Sequence, residues 1–569
     1  MEKIPSSGPQ WRVLQNKQTR FAKDPYGRHR QQARLESGRT RRSQICNPYM
    51  QEPLEKYRDV QQSPLLVMII SDLHPHTIVE EPGFVQFFQS IRYDCPSANV
   101  ILSELQNLFL KTTGFVQDQL ERVRYVTLTC EAWKTTASKT YMTTSCHLID
   151  DGWTQKSLVL ETTPLPEAYK PSNVVVQLLR IAKNWRIENK IKVVVTNVDR
   201  MEKEMEKCGW EHIACFANSL DVVFKVTLIL SSDWRELVQR CCDIAEYFSQ
   251  NVEAQSQLKE AQSKRHLSSY NLVECKADKW ISSLQILERI EVQREAISEV
   301  LINVSKVDLL LSEHEHNNIN KAILCLRAFQ CVVRAKTAKQ YSLLSDIIPQ
   351  VEEIKKKLTE LQQSQNEFAK ELAQRFDCHF GNIIENDWLT LSTALDLRYR
   401  DIVLSEKEKT THIKNKIICE LDGDQEVLFR QPELFRQPEL FRRPELFRRP
   451  ELFRRPELFR QPDSLEEALN RYLKKVMLPR HWDPLAVWNF PKDDDLDLSE
   501  VARKYLTVVS TAVPGDIAYD MEKAKRVAGR RSSLYPEHLN MMLFLNGNSS
   551  YLREQRSCFS HNLLEKLKI

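Results

Sequence analysis

The chain has 569 residues, of which 42% are hydrophobic and 28% charged, with a formal net charge of +4. This length and apolar content supply several real cores and exclude a wholly disordered or fibrous protein. The longest apolar run, Pro64 to Ile70, is far too short to cross a bilayer, so no membrane partner is expected.

Residues 1–50 hold 11 Lys/Arg against Glu2, Asp24 and Glu36, so the basic excess belongs to a tail, 1–53. Such a tail is expected to be disordered and either to bind polyanions weakly or to remain a solvated arm. Fourteen cysteines without a C-x-x-C pair, and a start at Met1-Glu2-Lys3-Ile4-Pro5 unlike a secretory signal, predict free thiols in a reducing compartment. Residues 54–122 read as an N-terminal helical domain, with helices kept short by Pro75, Pro82 and Pro96.

Strand patterns follow at Tyr125 to Cys130, Thr140 to Ile149 and Gln155 to Glu161, separated by short breaks that suggest an antiparallel meander. Ser172-Asn173 can cap a helix with Val174, Val175, Leu178, Ile181, Ala182 and Trp185 on one side. A buried strand, Val193 to Val195, comes next, and it ends on Asn197. Three strands, a helix, a buried strand and more helix is the order of a ribonuclease-H-like α/β core, placed at 123–226.

From Leu228 to about Tyr399 the pattern is nearly all helical, within a helical domain placed at 227–425. Positions 351, 354, 358, 361, 368 and 372 form a stripe broken by Gln365, read as a bundle helix rather than a free coiled coil. Residues 428–463 are six copies of Leu-Phe-Arg-(Gln/Arg)-Pro-(Glu/Asp), whose regular prolines exclude helix; 426–463 is read as an extended linker. A helix resumes over Ser464 to Val476, and within a C-terminal domain at 464–552 a final compact block from Trp482 to about Leu552 is expected to build its core on Pro484, Trp488, Tyr505, Leu506, Leu534, Leu539, Met542, Leu543, Phe544 and Leu545. A second tail runs from 553 to 569.

In order, Asp72-Leu73-His74-Pro75, Val79-Glu80-Glu81-Pro82-Gly83-Phe84, Leu128-Thr129-Cys130-Glu131-Ala132-Trp133 and Val195-Thr196-Asn197 resemble the domesticated hAT transposases of the zinc finger BED type. Cys215 to Leu220, Leu395-Asp396-Leu397-Arg398-Tyr399, Asp483-Pro484-Leu485, Ala502 to Leu506 and Arg530 to Leu534 continue the resemblance. It implies a ribonuclease-H-like core split by a large all-α insertion and completed by a C-terminal dimerisation region.

The family's reaction needs three acids that hold two metal ions, because such ions demand hard anionic ligands. By the resemblance those acids fall on Glu131, Asn197 and Asp516: a lengthened acid, a neutral amide and a shortened acid, with Ile517 where an arginine should follow. Asp199 lies past the strand end and is a poor substitute. The family's Cys-x-x-His reads Cys215 to Asn218, and the stretch before Asp72 offers only Cys46 and His29 toward a BED finger, short of four ligands.

The expectation is therefore a catalytically inactive nuclear protein with no cofactor, no bound metal and no small-molecule substrate. It would form a homodimer, or a heterodimer with related hAT-derived proteins, through Leu534, Leu539, Met542, Leu543 and Leu545. It would meet DNA through Lys523, Lys525, Arg526, Arg530 and Arg531 as a transcriptional regulator. The alternative is a protein-interaction partner that does not recognise DNA sequence.

Overall fold

The computed structural model describes residues 64–91, 94–269, 272, 277–334, 341–405, 410–420, 463–489 and 496–549. The predictions for both tails, for residues 428–462 of the hexapeptide array, and for His29 and Cys46 fall outside the described residues.

The first segment is helical: α1 (Pro64–Asp72), α2 (Pro82–Ser90) and α3 (Ala98–Arg122). The helices α1 and α2 are short as expected, at nine residues each, and α3 is not. Pro64 and Pro82 open helices, where a missing N–H costs nothing, and α3 runs for 25 residues after Pro96. Buried Ile101, Leu105, Leu108, Thr112, Val116 and Leu120 give α3 one continuous inner face.

The sheet follows: β1 (Val126–Lys134), β2 (Thr140–Ile149), β3 (Gln155–Leu165), then α4 (Pro171–Asn184), β4 (Ile191–Thr196), α5 (Glu202–Glu206) and β5 (Glu211–Ala214). Its order is β3-β2-β1-β4-β5, with β1, β2 and β3 antiparallel and β4 and β5 parallel to β1. The predicted meander and buried strand are present; β5 was not foreseen. The helix α4 starts at Pro171, so Ser172 and Asn173 lie inside its first turn, and Asn173 Oδ1 accepts from the Lys170 N–H at 2.8 Å.

The sheet has two unlike faces. One carries Leu128, Cys130, Met142, Cys146, Leu148, Leu158 and Val194 into an apolar core shared with α1, α3 and α4. On the other, Val193, Val195 and Ile149 join a second core built mainly from helices. These are α6 (Phe216–Leu230), α7 (Ser232–Gln250), α8 (Val252–Lys264), α9 (Trp280–Val292), α10 (Arg294–Asn303), α11 (Glu313–Arg334), α12 (Ile347–Gln363) and α13 (Glu367–Phe380).

The stripe from 351 to 372 is split between α12 and α13. The break falls at Gln365, whose φ of 58° turns the chain back. Then come α14 (Asp387–Ala394) and α15 (Arg400–Val403). Between them Arg398 is buried against Asp396 at 2.7 Å and Asp346 at 3.2 Å, which explains the Leu-Asp-Leu-Arg-Tyr run as an internal ion cluster. Cys242 on α7 is disulfide-bonded, a departure from the all-thiol expectation.

The C-terminal segment contains α16 (Asp463–Leu473), α17 (Leu496–Leu506), α18 (Gly515–Ala518), α19 (Met521–Ser532) and α20 (Pro536–Gly547). It does not close on itself as expected. Trp488, Tyr505 and Leu506 enter the helical core, whereas Leu534, Leu539, Met542, Leu543, Phe544 and Leu545 enter the core of α1, α3 and α4. Residues 508–512 thread between bundle and sheet: Ser342 and Leu344 bond Ser510 and Val508, and the Phe216 N–H donates to Ser510 O at 2.9 Å.

The helix α20 lies on β3, where Asn540 Oδ1 accepts from Thr162 N–H and the Asn548 amide both accepts from and donates to Val159. Gly547 is needed there, because a methyl would collide with Val159. Gly547→Ala is expected to cost about 1–3 kcal/mol by urea unfolding. An unchanged midpoint would mean that α20 does not seat on β3 this closely.

Candidate functional site and its ion pair

Glu131 stands near the end of β1, and the β1–β4 register, with Cys130 opposite Thr196, brings Asn197 beside it. The two positions singled out from sequence therefore come together in the fold. Both side chains are engaged with protein groups. Asn197 Oδ1 accepts from the Ala132 N–H at 2.9 Å, and Asn197 Nδ2 donates to the Ala132 carbonyl at 3.1 Å. The amide thus acts as one more peptide unit of β4, extending the ladder past the strand's end, and both its donor and its acceptor are in use.

Glu131 is held by Arg531 of α19, whose Nη1 lies 3.0 Å from each carboxylate oxygen. Both side chains are largely buried, at 15% and 13% exposure. The guanidinium also covers the Trp133 ring, 4.8 Å from its centroid, and Trp133 Nε1 donates to Thr143 Oγ1 at 2.9 Å. One guanidinium thus neutralises the carboxylate and packs on the neighbouring indole.

The pair lines a cavity of about 570 Å³. Its floor is the polar sheet face: Glu131, Thr143, Ser145, Ser157 and Val159. Tyr341, Ala512, Pro514 and Ile517 form one side; Lys523, Val527, Arg530 and Arg531 of α19 form another, and α1 and α20 complete it. On the same sheet face, beside Tyr341, His147 bridges Thr129 Oγ1 at 3.0 Å and Ser157 Oγ at 2.9 Å. Burial pushes its pKa down to about 3, so it is a neutral linker across three strands.

Of the other expected site residues, Asp516 lies in the short helix α18, and its side chain is outside the described residues. Asp199 is exposed beyond the strand end. The Cys215 thiol is buried, with its pKa raised by desolvation, and its sulfur accepts from the Ala512 N–H. It is a packing group.

The expected basic cluster divides by helix face. Lys523, Arg530 and Arg531 look into the cavity; Arg530 pairs with Asp72 at 3.0 Å and Arg531 with Glu131. Lys525 and Arg526 make no ion pair among the described residues. The bundle's His316 is bonded to Glu291 at 2.9 Å.

The five apolar residues expected at a dimer seam are placed differently. Leu534, Leu539, Met542, Leu543 and Leu545 are 7%, 3%, 2%, 6% and 0% exposed, covered by the chain's own α1, α3 and β3. Their partner is the same chain, reached from the far end of the sequence. Any dimer contact in this region falls to other side chains.

Residues 129–214, which span β1 to β5, match the ZBED1 RNase-like domain. The chain is 20% identical over 505 residues to zinc finger BED domain-containing protein 4 of Homo sapiens, covering 84% of this chain and 43% of that protein. It is 23% identical over 243 residues to zinc finger BED domain-containing protein 6 of Mus musculus, covering 39% and 25%. A putative AC transposase of Zea mays is 26% identical over 144 residues, covering 25% and 18%. The chain spans less than half the length of these curated relatives.

Proposed function

We propose, for a chain that is transposase-derived and homologous to the BED-type hAT relatives, that the sheet carries a ribonuclease-H-like site converted from metal-dependent chemistry to a fixed ion pair. The helical bundle would be the insertion that splits such a core, and α20 the piece that completes it. The protein would act in the nucleus as a DNA- or chromatin-associated regulator that does not cut or join strands. The observation that carries this reading is the Glu131–Arg531 pair. A cation seated where two metal ions would share an acid repels them, and a buried guanidinium leaves only with its partner exposed. Asn197, with its amide engaged at both ends, supports the same conclusion.

DNA contact is assigned to the outward side of α19, where Lys525 and Arg526 have no ion-pair partner among the described residues. Lys525→Gln/Arg526→Gln should reduce the log–log salt slope of duplex binding by about two and weaken all sequences alike. In the same preparation Mg²⁺ or Mn²⁺ should neither shift the melting temperature nor support cleavage. Metal-dependent cleavage lost on Glu131→Ala would refute the inactive reading, and an unchanged salt slope would remove α19 from the DNA surface.

A further inference from the structure

We infer that the cavity beside the ion pair is a metal-independent binding site for a phosphomonoester group. Among its described lining residues three side chains are cationic, Lys523, Arg530 and Arg531, and one is anionic, Glu131. Its floor presents the hydroxyl of Ser145, while that of Ser157 is bonded to His147. This is the donor set of an oxyanion site, with guanidinium forks and a hydroxyl in place of carboxylates.

A second observation points to a missing acceptor. Arg531 Nη1 holds Glu131, yet Arg531 Nε is a buried N–H with no hydrogen-bond partner. A buried unsatisfied donor costs about 1–3 kcal/mol, and it belongs here to a residue that lines a cavity large enough for a ligand. Nε is closed off from the cavity as the side chain stands, so a phosphate oxygen satisfies it only with a small turn of the guanidinium over the Trp133 ring. Arg530, half exposed and paired with Asp72 at 3.0 Å, can turn to a second oxygen at little cost. A phosphomonoester can come from a free nucleotide or from the 5′ end of a strand, and the cavity's chemistry is the same for both.

The inference rests on the reading above that no metal pair occupies this site. The full chain is titrated with AMP, and separately with a 5′-phosphorylated and a 5′-hydroxyl trinucleotide, by calorimetry in EDTA and again in Mg²⁺. The expected result is saturable binding in EDTA that Mg²⁺ does not strengthen, weakened about tenfold by Arg530→Gln and by Lys523→Gln. Binding by AMP marks the free phosphate as sufficient; binding by the phosphorylated trinucleotide alone marks a strand end.

Equal binding of the 5′-hydroxyl trinucleotide, or no binding in either buffer, overturns the phosphate site and leaves the loss of chemistry standing. Binding that appears only with Mg²⁺ overturns both. Circular dichroism of Arg530→Gln, whose pair is exposed, confirms that lost binding is not lost folding.

Discussion

Asn197→Asp is expected to lower stability by about 2–3 kcal/mol at pH 7 and to create no strand cleavage. By family resemblance the substitution restores an acid, yet in this fold it removes a donor. The amide Nδ2 faces the Ala132 carbonyl at 3.1 Å, so a carboxylate oxygen in its place meets another acceptor, and the carbonyl loses its partner. A protonated carboxyl can donate to that carbonyl again. The folded-state pKa of the new acid is therefore raised above its unfolded value near 3.9. The stability it contributes is present below that unfolded value and is lost as pH rises through the folded one. Urea unfolding should show parent and variant converging toward pH 4 and separating at pH 7. A variant as stable as the parent at pH 7 would mean that the amide is not clamped to β1.

The second large effect is expected at the ion pair. Glu131→Leu leaves a buried guanidinium without its counter-charge, and Arg531→Leu leaves a buried carboxylate and strips the cation from the Trp133 face. Each single change is expected to cost about 3–5 kcal/mol, because the survivor stays desolvated. The double Leu variant, with two apolar chains in the space, should cost clearly less than the sum, by at least about 2 kcal/mol. Additive losses in a denaturant double-mutant cycle would show that the two side chains do not meet in solution.

The strands were legible because their signals are local. Thr140 to Ile149 has the residues of a strand, and the structure returns β2 with those bounds. The strand β5 escaped because only Ile213 of Glu211–Ala214 is buried, too little for any periodicity. The apolar residues of α20 announced burial without saying against what; their partners lie hundreds of residues upstream. The same holds at the site. Sequence marked Glu131 and Asn197 as altered acids, but the guanidinium that answers Glu131 sits 400 positions away, and nothing local connects them. Asn197 read as a missing charge. Its positive role, a donor and acceptor both occupied by Ala132, emerges only once β1 and β4 are aligned.

The seating of α20 on β3 has a consequence for how the protein is made. The strand β3 is an edge of the sheet, and its Val159 and Thr162 backbone groups are satisfied by Asn548 and Asn540 from 389 and 378 positions downstream. At about 5–20 residues per second of synthesis, that edge emerges roughly 20–80 s before the helix that covers it. For that interval the nascent chain presents an open strand, the usual template for pairing with a neighbour. Its yield in a cell should therefore depend on what shields β3 until the ribosome reaches residue 548.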